Sequence, residues 1–391
     1  MPNAIGSVKS WWRNARVHFY GHVANGWLRV RQYGAAAAAY ERILRILPDN
    51  PWAQFQRAWS LLHIPNRRVE AIVGFQTVLP RSPSAGGYYL LAWGLQQEGR
   101  DAEAVNAFTE ALRLDSPGPP DFYRDYAHSL RAVGRLEDAA ESFRCAAQLN
   151  PADAEAWGNF GAALADLGRW KDAAPCQERA MRIAPSVIGG LNFAETLYEL
   201  NRCEDAEHVL RDVLALDARC VDAKELLALA LAGQERYDEA IALAREIHAA
   251  NPTALSSLEV MAGVLTEAGR LEEALEHAKA AAVVAPDDAR SHAGLGCVWL
   301  AMKDGAAALA AVERVAELLP AEPNPLPSSP WKNYLAARAI ALSLLARHEE
   351  AVETFEKMLV IDRDFFERWP DMMSHYEESS RAIGKSAATT P

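Results

Sequence analysis

The residue pair best spaced for chemistry is His18 and His22, one helical turn apart, where two imidazoles could share a metal ion. No third ligand lies near them in sequence, so a solvated or packed pair is expected. Gly86-Gly87 before Tyr88 suits a helix-entry turn better than a phosphate cradle. The chain holds no H-E-x-x-H, no G-x-S-x-G, no P-loop and no dinucleotide fingerprint. Five cysteines, Cys145, Cys176, Cys203, Cys220 and Cys297, are scattered without a C-x-x-C, as free thiols in a reducing compartment are. Catalysis is therefore not expected, and neither is a metal or a cofactor.

What remains is the chemistry of recognition. Arg124 and Arg131, one or two turns apart, could grip carboxylates, with His128 between them. Tyr89 and Trp93 are large amphipathic anchors. Asn159 and Asn192 each offer a donor and an acceptor to a peptide backbone, with Glu195 close by in sequence. A second set, Trp11, Trp12, Arg13 and Arg16, mixes aromatics with cations and contains no acid. It reads as an extra helix over the first hairpin, or as a contact for an anionic membrane surface or an acidic partner.

Charge narrows the partners. The net charge of −12 argues against nucleic acid, whose phosphates call for a basic face. The charge is uneven: residues 1–47 hold seven Lys or Arg against the single acid Glu41, a net of +6, which leaves −18 for the rest. No apolar run follows Lys9 and Arg13, and the longest one, from Leu226 to Ala232, is too short to span a bilayer. No signal peptide and a cytoplasmic protein are expected.

The elements that must position these residues follow a period. An alanine recurs at Ala36, Ala71, Ala104, Ala139, Ala173, Ala206, Ala240, Ala274 and Ala308, at intervals of 33 to 35 residues, and again at Ala351 after a longer gap. Four residues after it come Tyr40, Phe75, Phe108, Phe143 and Phe355, with Gln177, Leu210, Ala244, Ala278 and Val312 in the other units. The stretch 154–186 shows one unit in full. Trp157, Phe160, Gly161 and Leu164 share one helical face, Gly168 breaks the helix, a second helix covers Lys171 to Ile183, and Pro185 closes it.

This W…G…A…P pattern resembles the tetratricopeptide repeat family over about nine-tenths of the chain. Ten repeats are read: 17–50, 52–84, 85–118, 120–153, 154–186, 187–220, 221–254, 255–288, 289–322 and 332–365. The organisation is then a basic aromatic leader (1–16), repeats 1 to 9 (17–322), a Pro-rich insertion (323–331), repeat 10 (332–365), and a capping helix with a disordered tail (366–391). The expected fold is all-α, a right-handed superhelical solenoid of stacked helix-turn-helix repeats. One hairpin cannot bury its apolar face, whereas a stack can. Gly190 and Asn201 in repeat 6, and Lys224 and Glu235 in repeat 7, depart from the pattern and suggest less regular packing there.

The resemblance implies a concave face formed by the first helix of each hairpin. It offers an aromatic, mildly basic set in repeats 1 to 4, which includes Ser60, Tyr89, Trp93, Arg124, His128 and Arg131. In repeats 5 to 8 the set is acidic: Glu155, Asn159, Asp166, Asn192, Glu195, Tyr198, Glu199, Asp222, Glu225, Glu259 and Glu267. The implied function is a non-enzymatic scaffold or adaptor that takes a peptide or partner segment in this groove. The alternatives are a peripheral membrane assembly platform anchored by the leader, and a non-catalytic subunit of an enzyme or secretion complex. Self-association is left open.

Overall fold

Each period of the sequence folds into two antiparallel helices in the computed structural model, which describes residues 2–114, 118–319, 330–362, 366 and 370–384, with no side-chain detail for residues 2–12, 330, 370 and 371. The Trp11 and Trp12 side chains, residues 323–329 of the Pro-rich insertion and the tail after residue 384 lie outside the described residues. All regular structure among the described residues is helical.

The chain divides into two compact units, residues 1–151 and 152–391. Unit 1 pairs α1 (Pro2–Arg29) with α2 (Tyr33–Ile46), and α3 (Pro51–Leu62) with α4 (Arg68–Val78). It goes on with α5 (Ala85–Gln97) and α6 (Asp101–Leu114), then α7 (Pro120–Ala132) and α8 (Leu136–Leu149). Unit 2 pairs α9 (Ala154–Asp166) with α10 (Trp170–Ile183), α11 (Val187–Glu199) with α12 (Cys203–Leu216), and α13 (Val221–Gly233) with α14 (Tyr237–Ala250). It continues through α15 (Leu255–Glu267) with α16 (Leu271–Val284), α17 (Ala289–Ala301) with α18 (Gly305–Leu318), and α19 (Pro330–Leu344) with α20 (His348–Ile361). The last helix, α21 (Pro370–Ala382), lays Tyr376 against Phe355, with ring centroids 5.7 Å apart, and covers the final hairpin.

The expected leader, residues 1–16, is not a separate element. α1 runs unbroken through Val17, because no proline follows Pro2 and isolated glycines only weaken a helix. Ser60, expected on the groove, is instead fully buried and donates its hydroxyl to the Gln56 carbonyl at 2.7 Å.

In five hairpins the core is built on an aromatic ring four places after the recurring alanine. Tyr40, Phe75, Phe108, Phe143 and Phe355 are all fully buried there. The paired helices of repeats 6 and 7 touch less than those of the other hairpins, in line with their departures from the pattern. At Gly190 a β-carbon would fall 2.3 Å from Val213 Cγ2, so the missing side chain lets α11 close on α12. Several second helices start without a side-chain cap. There an arginine at the N-cap holds an acid three residues on, as in Arg236 Nε to Glu239 Oε1 at 2.8 Å and Arg270 Nε to Glu273 Oε1 at 2.7 Å. The acid then lies at the positive end of the helix dipole.

The turn inside nine of the ten hairpins requires one left-handed residue. Gly99, Gly134, Gly168 and Gly269 supply it freely, whereas Arg31, Asn201, Glu235, Lys303 and Ala346 are held at φ between 55° and 61°. A side chain there costs about 1–2 kcal/mol, offset in part by the extra backbone entropy that glycine loses. Glu235→Gly is therefore expected to stabilise the protein by about 1 kcal/mol, read as a higher urea midpoint at an unchanged slope. A lower midpoint would show that the turn does not strain Glu235.

Candidate functional site

In unit 1, α5 and α7 bring the expected aromatic and basic residues onto neighbouring first helices. The Tyr89 hydroxyl donates to Asp125 Oδ2 at 2.9 Å, and Gln96 Nε2 donates to the Asp125 carbonyl at 3.0 Å. The Tyr89 ring also packs on Phe122 at 5.6 Å and Phe108 at 6.1 Å, and Trp93 packs against the same core. Tyr89 is thus half structural. Burial first, then the adjacent Asp125 carboxylate, raises its phenol well above the ordinary value. Burial also raises Asp125, against the lowering effect of the Tyr89 hydrogen bond.

Arg124 does not wait for a foreign carboxylate. Its guanidinium lies 3.0 Å from Asp121 and 3.7 Å from Asp125, both on α7. That pairing was available in the sequence, since Asp121 stands three residues before Arg124. His128 is exposed with its ring set edge-on over Phe143 at 5.1 Å, and Arg131 is exposed on the same helix. On α1, Arg13, Arg16, His18, Phe19 and His22 are exposed.

In unit 2 the first helices α9, α11, α13, α15, α17 and α19 follow one another as neighbours. Asn159 and Asn192 line one cavity, and Asn159 Nδ2 is buried with no hydrogen-bond partner. The layer is acidic. Burial, then Glu199 and Asp166, raises the Glu195 carboxyl above its ordinary value. Burial, then Asp288 and Glu225, similarly raise Glu259, against the lowering effect of Arg290. Tyr198 is pushed up to about 12 by burial, with Glu267 among the contributing charges. Glu199 Oε2, Glu225 Oε1 and Glu259 Oε1 are each buried without a hydrogen-bond donor. A buried carboxylate oxygen left in that state is costly, so this layer has unused affinity for donors that carry positive charge.

The sequence reading missed the cation that already uses it. Lys332, at the start of α19, is 4% exposed, with Nζ 3.7 Å from Glu199 Oε2 and 3.9 Å from Asp362 Oδ2. No local signal ties Lys332 to α11, which lies three whole hairpins earlier. Among the described residues no cluster of three His, Cys, Asp or Glu could hold a metal, and no helix is long and apolar enough to cross a membrane.

Comparison with known proteins agrees with this architecture. Among curated proteins, the human Protein O-mannosyl-transferase TMTC1 is 32% identical over 120 residues, which are 30% of this chain and 13% of that protein. The matched stretch is thus a small fraction of that relative. A tetratricopeptide repeat protein from Parabacteroides merdae superposes with a TM-score of 0.52 at 17% identity, covering 66% of this chain and 98% of that one. The C-terminal part of a TPR repeat-containing protein from Cytophaga hutchinsonii gives 0.50 at 16% identity, over 62% and 99%. Tetratricopeptide repeat models match residues 85–117, 125–188, 191–254 and 262–323, together more than half of the chain. With the paired helices and the recurring alanine and glycine register that these matches follow, the chain belongs to the tetratricopeptide repeat family.

Proposed function

We propose that this protein is a non-enzymatic scaffold that captures segments of partner proteins on the first-helix layers of its units, and that unit 2 selects segments bearing lysine or arginine. The observation that carries this reading is the set of buried, donor-less carboxylate oxygens on Glu199, Glu225 and Glu259. Lys332 supports it as an intramolecular example of an ammonium group lodged against Glu199. Unit 2 has 39 acids against 23 Lys or Arg, a net of −16, so long-range steering has the same sign as the contact chemistry. In unit 1, Tyr89, Trp93, Arg124, His128 and Arg131 form the companion contact surface, aromatic rather than cationic because Arg124 is already paired. In unit 2, Asn159, Asn192 and Glu195 join the contact.

A fluorescent Ala-Lys repeat peptide titrated into the full chain tests this. Tight binding is expected for it, and little for an Ala-Glu repeat. Glu225→Gln with Glu259→Gln should weaken capture at least about tenfold while helical content stays constant, since two charge-assisted contacts are lost. Because Glu195 and Glu259 are raised, they neutralise at a higher pH than ordinary carboxylates. Capture should accordingly fall as pH is lowered from 7 toward 5. Equal binding of the two peptides, or undiminished capture by the double variant, would reject the reading.

A further inference from the structure

Gly158 lies inside α9, where glycine weakens a helix relative to alanine, and no crowding demands it. A β-carbon there would meet only Ala180 Cβ, at 3.8 Å, an ordinary contact. At the same register, fifteen residues before the recurring alanine, other repeats place Tyr89, Arg124, Leu191, Glu225 and Glu259. The bare position leaves a cavity of about 340 Å³ between α9, α10 and α11, with Ile188 and Met181 on its walls.

One other repeat has glycine at this register, Gly21, fifteen residues before Ala36. There the chain fills the space itself. Trp52, the second residue of the following first helix, sets its indole so that a β-carbon on Gly21 would lie 3.4 Å from Cη2. The second residue of α11 is Ile188, which is 74% exposed and leaves the hollow beside Gly158 open. The lining is mostly apolar, and its polar members are Glu155, Ser186, Asn192 and Asn159, whose Nδ2 is buried without a partner. An aromatic ring brings the apolar area, and its own main chain brings the carbonyl that the orphan amide lacks.

We infer that the cavity beside Gly158 is an anchor site for one aromatic side chain of a bound segment, seated as Trp52 is seated beside Gly21, with Asn159 donating to the main-chain carbonyl of the same residue. This rests on the proposed capture of partner segments and adds the residue type that fixes their register.

N-acetyl-tryptophanamide is the probe, added to the full chain carrying carbon-13 methyl labels on isoleucine and methionine. Saturable shifts are expected at the Ile188 δ1 and Met181 ε methyls, and at least tenfold weaker ones with N-acetyl-alaninamide. Asn159→Ala should weaken the tryptophan probe about three- to tenfold. Gly158→Met fills the hollow from α9, and Ile188→Trp supplies the indole from α11; each should reduce probe binding at least tenfold in a protein that still melts cooperatively. If Gly158→Met fails to fold, Ile188→Trp carries the test alone, because its side chain replaces an exposed one. Equal shifts with the alanine probe, no shift at either methyl, or undiminished binding in the folded variants overturns the inference. The probe needs no partner protein, so its failure leaves lysine-peptide capture standing, and failure of that capture leaves the probe result readable.

Discussion

Phe108→Ala is expected to cost about 3–5 kcal/mol, the upper range for emptying a buried aromatic site. Phe108 is fully buried, and its ring meets Phe122 and Tyr126 at 5.3 Å and Tyr89 at 6.1 Å. Truncation removes the transfer energy of the ring and those three aromatic contacts, each worth about 0.5–1.5 kcal/mol beyond area. The cavity cannot collapse easily, since helices on both sides are tied to their own neighbours. In a stack of repeats the loss falls on the hairpin and its immediate contacts. Hydrogen exchange in α5, α6 and α7 should therefore quicken by several orders of magnitude, while amides in α19 and α20 keep their wild-type rates. Uniform quickening along the chain, or a change smaller than tenfold in α6, would show that the large ring is not what holds the hairpin that carries it.

That series was the most legible part of the molecule. Five hairpins wedge one large ring between their two helices, and the recurring alanine marks where the helices come closest, so the fold class and the buried rings could be read from spacing alone. Gln177 shows the limit. It takes the ring's place in repeat 5 and is 2% exposed, with both Oε1 and Nε2 lacking a hydrogen-bond partner. The pattern marked it as a substitution but gave no sign that its amide would be stranded. Nor does the period mark the division between residues 151 and 152, which falls at an ordinary repeat junction.

The candidate site was half legible. The sign of its charge followed from composition and register, and Glu195, Glu199, Glu225 and Glu259 were all identified by counting positions. The state of each group was not. Arg124 was expected to be available, yet Asp121 and Asp125 on its own helix hold it. The hollow beside Gly158 had a sequence signal, a mid-helix glycine where most other repeats carry a large side chain. That signal gains meaning only from knowing that Trp52 fills the equivalent space and Ile188 does not.

Removing the Lys332 ammonium should be nearly as damaging as emptying a core site. Lys332 and Asp362 are each 4% exposed, and their charged atoms lie 3.9 Å apart, with Glu199 3.7 Å away on the other side. Lys332→Ala removes the ammonium beside Asp362 and beside Glu199 Oε2, a buried oxygen with no hydrogen-bond donor, which costs about 3–5 kcal/mol. A lysine stem and its partner can instead be replaced together by apolar groups of similar size at little cost, so Lys332→Met with Glu199→Leu should recover most of that loss. Guanidinium unfolding of the three proteins separates the two effects. A single variant within about 1 kcal/mol of wild type would show that the charges are solvated, and a double variant as unstable as the single would show that the lysine acts by shape. The outcome also bears on capture. The Lys332 ammonium stands beside Glu199 only because the intervening hairpins bring α11 and α19 within reach of each other, and Glu225 and Glu259 on the intervening layer have the same buried oxygen without a chain lysine beside it. If one ammonium in this setting is worth several kcal/mol to the fold, a partner that delivers lysines to the remaining positions gains affinity from the same unmet demand.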